Sequence, residues 1–568
     1  MDRSEGEHSD WPLRPWVLSG GLALAGLLVW AFSDGFDAEG VPWRMAATAF
    51  VFFGGLAAAF TVERDRWKEP LVFALAAGLV MAGLAWRASG AGDHYADEEY
   101  GFFAGVIATA LALPLFQAGF HRTRFATPYA RAHYHAWSDA ISAAGSLAFV
   151  GASWLLLVLL SELFQLLKID LLRELMEEGA FGWAYSGAAF GAALGTLRNQ
   201  LKILGTLQAV AMVVLSILAV PLALGLALFL VAMVVSGPQV LWDATRSATP
   251  ILLLCAAGAW LLANAILRDT DAEMSGNRVL RWAAFALALV ILPLTVFAAI
   301  SLGTRIGQHG LSPERLWGLI AILVACLYGL VWLVALVRGS KLGDWRERLR
   351  RANLHLAAAI CVIAFVLALP ILDFGAISAR NQVARLESGA VSPEDFDYSA
   401  LRWDFGDAGR RALARLERSE NARIADLARV ARLQTERVWT GRAEEMYRDE
   451  DEIDVRVEPN DPELRALVID HLRANSWDCP SYCVALDLGQ ADDGRRDVAL
   501  VSSTNYTRVY LPGRPDQARP PEVAPAVKPL GPGSAVEVRT VERRYIFVDG
   551  EPVGPPIEDA LEGRPWPR

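Results

Sequence analysis

An all-α polytopic membrane bundle of about eleven transmembrane helices, followed by a small soluble α+β domain, is the architecture this 568-residue sequence predicts. Three observations carry it. The chain is 54% hydrophobic with a mean hydropathy of +0.30, outside the balance of ordinary soluble domains. Apolar runs long enough to cross a hydrocarbon core roughly 30 Å thick, each needing about 17 to 25 residues, recur as far as Leu372 and then stop. Many of the 19 tryptophans, including Trp16, Trp30, Trp43, Trp67, Trp86, Trp137, Trp183, Trp282 and Trp317, fall near the ends of those runs, where an amphipathic ring suits a membrane interface.

The predicted spans, in order, are Trp16 to Phe32, Met45 to Val62, Pro70 to Trp86, Gly101 to Phe120, Ala140 to Leu160, Phe181 to Leu197, Ile203 to Val235, Pro250 to Leu267, Trp282 to Leu302, Leu316 to Val337 and Leu354 to Leu372. The sixth is the least apolar. The seventh exceeds one crossing, and Pro221 is expected to kink it, because proline removes a backbone donor and crowds the preceding turn. In the sixth, "SGAAFGAALG" sets Gly187, Gly191 and Gly195 four apart on one helix stripe, a packing surface that lets backbones approach closely in lipid.

Orientation follows from Lys and Arg. With the N-terminus cytoplasmic, inner segments carry nineteen of them and outer loops seven, the bias that membrane insertion requires. Eleven spans then place the C-terminal part on the outer side of the membrane. The first span is expected to be a retained anchor, since the residues before it lack a basic n-region.

The expected domains are residues 1–375, transmembrane; 376–445, a helical soluble segment; and 446–568, a small α+β domain with a proline-rich loop, "PGRPDQARPPEVAPAVKPLGPG". From Gly375 onward 27 Lys and Arg face 35 Asp and Glu, a net charge of minus eight that excludes nucleic acid as a natural partner. Helical spacing at Leu413, Leu416, Ile424, Leu427, Val430 and Leu433 predicts three or four short helices. The runs "CVALDLG", "DVALVSS", "TRVYLPG", "AVEVRT" and "RRYIFVDGEPV" predict strands, with Asp549-Gly550 as a hairpin turn. Cys479 and Cys483 in "WDCPSYC" are expected to form a local disulfide in an oxidising compartment, a metal site with His471 and Asp478 being the weaker alternative. Cys255, Cys326 and Cys361 lie in spans as packing residues.

No catalytic residue, metal ion or cofactor is assigned. In "RIGQHGLSPERLWGLI" the Ser312-Pro313-Glu314 run opens a helix: Pro suits the first position and Glu the positive end. The preceding outer loop, "PQVLWDATRSATP", adds a functional reading. Trp242, Asp243, Arg246, Arg305, His309 and Arg315 at one membrane face would suit an anion or lipid headgroup. Asp34 and Asp37 in "FSDGFDAEG" are candidate acids under an enzyme reading. No ionisable residue falls near the middle of a predicted span, which argues against an ion-coupled carrier.

The segments "YARAHYHAWSDAISAAGSLAFVGASWLLLVLLSELFQLLKI", "RIGQHGLSPERLWGLI" and "LDFGAISARNQVARLESGAVSPEDFDYSALRWDFGDAGRRAL" resemble the bacterial multi-pass inner-membrane family termed domain of unknown function 4153. That resemblance implies an inner-membrane location and brings no catalytic residues with it. The expected function is an envelope interaction, sensing or assembly factor whose partners are the lipid bilayer and envelope lipids or proteins. The alternative is a membrane enzyme or carrier handling a lipid-linked or anionic envelope substrate at its periplasmic face.

Overall fold

The computed structural model describes residues 11–33, 41–90, 94–96, 98–236, 248–274, 276–340, 345–435, 437, 453–475, 478–479, 482–491, 495–501, 506–513, 544–548 and 551–557. The chain divides into two compact units, Met1–Phe374 and Gly375–Arg568.

The first unit is helical throughout its regular elements: α1 (Arg14–Ser33), α2 (Pro42–Thr61), α3 (Lys68–Gly90), α4 (Glu98–Gln117), a single turn α5 (Phe120–Thr123), α6 (Tyr129–Gln165), α7 (Leu171–Glu177), α8 (Gly179–Asn199), α9 (Leu201–Ser236), α10 (Ala248–Leu267), α11 (Arg278–His309), α12 (Pro313–Ser340) and α13 (Trp345–Ala368). Among the described residues, ten of these are long and apolar enough to cross a membrane: α1 to α4, α6 and α9 to α13. Leu24, Leu79, Leu155, Leu228, Val234, Leu254 and Leu323 point outward from them, the exposure expected where the surrounding solvent is hydrocarbon. This is a multi-pass membrane protein.

One boundary differs from that expected. Helix α6 starts at Tyr129, well before the apolar run that begins at Ala140, and is 37 residues long. At 1.5 Å per residue it extends about 55 Å, so its polar first turns stand beyond the hydrocarbon and bury His133, Ser138 and Ser142 against neighbouring helices. Helix α9 is continuous for 36 residues with Pro221 inside it, the position where the sequence places a kink.

Helix α8 is 21 residues long but less apolar than the ten. Its composition has a structural reason. A Cβ added at Gly187, Gly191 or Gly195 would run into the backbone of Leu22, Leu18 and Pro15 respectively. Reciprocally, Gly26 faces the Trp183 carbonyl. The numbers descend along α1 as they rise along α8, so the two helices are antiparallel and in backbone contact over most of their length.

The other half of the unit is held differently. Leu252, Ala259, Ala263 and Ile266 of α10 pack with Ala284, Leu287, Ile291 and Leu294 of α11 and Trp332 of α12. A polar chain crosses this apolar core: Trp332 Nε1 donates to Asn353 Oδ1 (3.0 Å), Asn353 Nδ2 donates to Asn264 Oδ1 (2.7 Å), and Asn264 Nδ2 donates to the Trp260 carbonyl (2.8 Å). It ties α10, α12 and α13 at one register, because any slip would strand amides in an apolar interior.

In the second unit, α14 (Phe374–Glu387), α15 (Tyr398–Trp403), α16 (Gly406–Leu416) and α17 (Ala422–Leu433) close around Tyr398, Leu401, Leu413, Leu427 and Val430. Asp397 and Asn421 cap α15 and α17 by accepting backbone N–H bonds. A mixed sheet follows, in the order β1 (Val455–Glu458), β2 (Cys483–Gln490), β3 (Arg496–Val501), β4 (Tyr506–Leu511), with β1 and β2 parallel and the other pairs antiparallel. Helix α18 (Pro462–Ala474) makes the β1-to-β2 crossover and packs Leu464, Val468 and Leu472 on the face that shows Val498 and Leu500. A hairpin, β5 (Arg544–Val548) with β6 (Glu551–Ile557), brings Ile546 to the opposite face, beside Ala499 and Val501. Both faces of β3 are therefore covered. The turn at Asp549-Gly550 and the run "AVEVRT" lie outside the described residues.

Candidate functional site

Helices α1, α2, α3, α4, α6 and α8 bring polar residues to one end of the membrane unit, where a cavity of about 180 Å³ opens. Helix α6 supplies Ser138, Asp139 and Ser142, α4 supplies Gln117, and Arg14 and Arg198 come from the start of α1 and the end of α8. Gln117 Nε2 donates to the Phe60 carbonyl (2.8 Å) and to Asp139 Oδ1 (3.3 Å). Its own Oε1, together with Asp139 Oδ2, the Ser138 hydroxyl and Arg14 Nε, is buried with no protein partner. Arg66, Glu69, His121 and Arg122 ring the mouth, with Arg122 paired to Glu69, while the half-buried Glu63 lies further in, within electrostatic reach of Arg14 and Arg198. The arrangement can hold a small polar molecule: acceptors lie at its floor and cations at its rim.

The two deep arginines also have structural work. Arg198 Nη1 donates to the carbonyls of Ala59 and Val62 at the end of α2, and Arg14 Nη1 donates to the Arg198 carbonyl (3.0 Å) at the end of α8. The same device recurs elsewhere. Arg350 donates to the carbonyls of Leu267 (2.8 Å) and Arg268 (3.2 Å) at the end of α10, while also pairing with Asp271 at 2.9 Å. Arg87 donates to the Ala368 carbonyl ending α13 (3.2 Å). The last carbonyls of a helix have no intrahelical donor and face the negative end of its dipole, so a guanidinium from a neighbouring span satisfies both needs.

Arg315 belongs to this set. Its Nη1 donates to the carbonyls of Gly310 (2.8 Å) and His309 (3.3 Å) at the end of α11, and its backbone N–H reaches Ser312 Oγ at 3.3 Å, with Pro313 in the first position of α12. "GLSPER" is thus a joint cap for two helices. Arg305 and His309 lie exposed on the last turns of α11. Trp242, Asp243 and Arg246, the other members of the expected headgroup site, lie outside the described residues, as do the candidate acids Asp34 and Asp37. Gly187, Gly191 and Gly195 all face α1, as described above.

Cys479 and Cys483 are joined by a disulfide with Cα atoms 5.9 Å apart, and both side chains are buried under the sheet. Beside them His471 Nε2 lies 2.7 Å from Asp478 Oδ2.

The family described as Domain of unknown function (DUF4153) matches residues 45–416. The chain is a member of the DUF4153 family. The match begins in α2 and ends with α16, starting earlier than the segments that carried the resemblance. It takes in every cavity residue named above except Arg14, and it leaves out α1 and the sheet of this DUF4153 protein. No curated protein and no solved structure matches the chain.

Sequence reasoning missed the cavity because span limits were drawn from apolar runs, which place Asp139 in a loop. A signal was present. Ser138, Ser142 and Ser146 recur every four residues and form one polar helix stripe.

Proposed function

We propose that this DUF4153 protein sits in the bacterial inner membrane with its N-terminus in the cytoplasm and its C-terminal unit in the periplasm. There that unit acts as an envelope interaction, sensing or assembly factor. The observation that carries the reading is the antiparallel contact of α8 with α1. A helix whose backbone touches a membrane span along most of its length crosses with that span, whatever its own hydropathy. Counting α8 gives eleven crossings, and an odd count separates the two ends of the membrane unit. The nineteen-to-seven distribution of Lys and Arg then supports a cytoplasmic N-terminus. The test is a pair of reporter fusions, expected to read cytoplasmic at Ser340 and periplasmic after Gly389. The reverse pattern, or the same side for both, overturns the reading.

The disulfide gives an independent check on compartment. Membranes treated with a thiol reagent without reduction should leave Cys479 and Cys483 unmodified. Labelling of either in the folded protein refutes an oxidised periplasmic site.

A second reading, binding of a lipid-linked or anionic envelope substrate at the periplasmic face, draws on the exposure of Arg305 and His309 one turn apart at the end of α11. It requires Trp242, Asp243 and Arg246 to converge on them. A cysteine pair at positions 246 and 305 should then cross-link with a short reagent, and failure to do so removes this reading.

A further inference from the structure

The cavity at the opposite end of the bundle has a chemistry of its own. Its floor presents two acceptor oxygens that the protein leaves without a donor, Asp139 Oδ2 and Gln117 Oε1, beside the Ser138 hydroxyl, which is also unpartnered although the residue is only 6% exposed. Leaving such groups dry and unpaired is unfavourable, so something with several N–H or O–H donors belongs there. The deep charges balance, Arg14 and Arg198 against Asp139 and Glu63. Arg14 and Arg198 each give Nη1 to a helix-end carbonyl, and neither donates to Asp139 Oδ2 or Gln117 Oε1. At the rim the balance changes sign. Arg66 and Arg122 exceed Glu69 by one charge, and His121 stacks on Phe116 next to them (ring centroids 4.8 Å apart).

We propose that this cavity binds a small zwitterion in which a primary ammonium is joined by a short linker to a phosphate. The ammonium lies on Asp139 and Gln117, and the phosphate lies at the rim on Arg66 and Arg122. A primary ammonium brings three donors to a floor of acceptors, and a phosphate suits planar guanidinium forks. A membrane aminophospholipid headgroup and a free phosphoethanolamine share this chemistry. The proposal does not depend on which side of the membrane the cavity faces, so it stands or falls separately from the topology.

The experiment uses the full-length protein purified in a mild detergent. One arm titrates O-phosphoethanolamine by calorimetry. The other measures retention of phosphatidylethanolamine by native mass spectrometry, with phosphatidylcholine and phosphatidylglycerol of the same chains as comparators. Saturable binding of one equivalent in either arm is expected, and at least tenfold weaker binding of phosphocholine or phosphatidylcholine, whose trimethylammonium has no N–H to give. Binding in both arms shows that the headgroup alone suffices; binding only in the lipid arm assigns the membrane as the source. Asp139→Asn, which keeps the shape and removes the charge, should lower affinity at least tenfold. Should that variant fail to give folded protein, the ethanolamine-over-choline preference of the wild type decides alone. Absence of binding in both arms, equal binding of choline and ethanolamine forms, or undiminished binding by folded Asp139→Asn overturns the proposal.

Discussion

The two units use the same residue type for different ends. In the membrane unit Arg14, Arg87, Arg198, Arg315 and Arg350 give their guanidinium protons to backbone carbonyls at the ends of neighbouring helices. In the C-terminal unit the arginines pair with carboxylates: Arg473 and Arg429 with Asp426, Arg429 also with Asp470, Arg437 with Asp397 and Asp404, Arg496 with Asp461 and Asp487, Arg508 with Asp497. The difference follows from the solvent. A helix ending at a membrane face must find donors for its last carbonyls within the protein, whereas in water those carbonyls can be hydrated and the arginine is left to a side chain. The membrane unit treats the backbone as a partner, and the α1–α8 seam extends this principle from hydrogen bonds to packing. Only five of the 53 Lys and Arg residues are lysine, which suits a role that calls for several donors in a fixed fork.

The largest expected effect comes from breaking backbone contact. Gly191→Leu places a side chain where the Leu18 backbone already lies, and neither helix can retreat without opening the seam. The loss should exceed the about 1 to 3 kcal/mol typical of overpacking and should abolish recovery of monodisperse protein. Gly20→Leu, at an exposed α1 position with open space beside it, serves as the control and should be recovered like the wild type. If Gly191→Leu is tolerated as well, the contact between α1 and α8 is not what joins them.

That seam also marks where the sequence was hard to read. The ten strongly apolar helices were legible because transfer of a side chain into hydrocarbon is a property of composition. Helix α8 was less so, since Gly187, Gly191 and Gly195 lower hydropathy while improving packing, and only their spacing of four revealed the face. In the C-terminal unit the strands β2 to β4 were visible as short strand-like runs. The parallel β1–α18–β2 crossover was not, because "VRVE" is four residues long and its pairing partner lies 28 positions away. The Asp461-Pro462-Glu463 start of α18, where Asp461 accepts from the Glu463 N–H at 3.0 Å, was the overlooked sign, and it repeats the Ser-Pro-Glu device of α12. The arginine caps were invisible for a different reason: the tally of basic residues gives their side of the membrane, while the carbonyl each one meets depends on which helices become neighbours.

A smaller effect separates capping from mere charge. Arg350 is 4% exposed and joins three acceptors, Leu267 O, Arg268 O and Asp271. Arg350→Met should cost about 1 to 3 kcal/mol, because it leaves the Leu267 and Arg268 carbonyls without their donor, while exposed Asp271 keeps Arg346. Arg350→Lys keeps the charge but cannot reach all three, and should fall between wild type and Met in reversible unfolding in mixed micelles. Equal stability of the Lys variant and wild type would show that charge alone suffices and that the fork is incidental. Asn353→Ala, which leaves Trp332 Nε1 and Asn264 Oδ1 without partners, should cost about 1 to 2 kcal/mol in the same assay.

The smallest effect is the most direct test of the contrast, because a carboxylate titrates and a carbonyl does not. Burial works against ionisation of Asp426, but the hydrogen bonds and charges of Arg473 and then Arg429 outweigh it and hold the carboxyl below its ordinary value. For half-buried Asp461, the hydrogen bond from Arg496 acts in the same direction. A carboxyl whose folded pKa is depressed contributes stability that is complete above the unfolded value, about 3.9 for Asp, and that drains as pH falls through the folded value. The C-terminal unit should therefore lose protection of the α17 and α18 amides between about pH 5 and pH 3. The α10 amides beneath the Arg350 cap should change less, once both are corrected for the intrinsic pH dependence of exchange. Solvent screening at Asp426 keeps the contribution of its pairs to about 1 kcal/mol or less, so the readout must be differential. Hydrogen–deuterium exchange on the intact chain supplies it, comparing wild type with Asp426→Asn. The variant should start less protected at pH 7 and show a shallower decline. A parallel decline in the two proteins would mean that the Arg–carboxylate pairs of this unit are not what distinguishes it from the membrane unit.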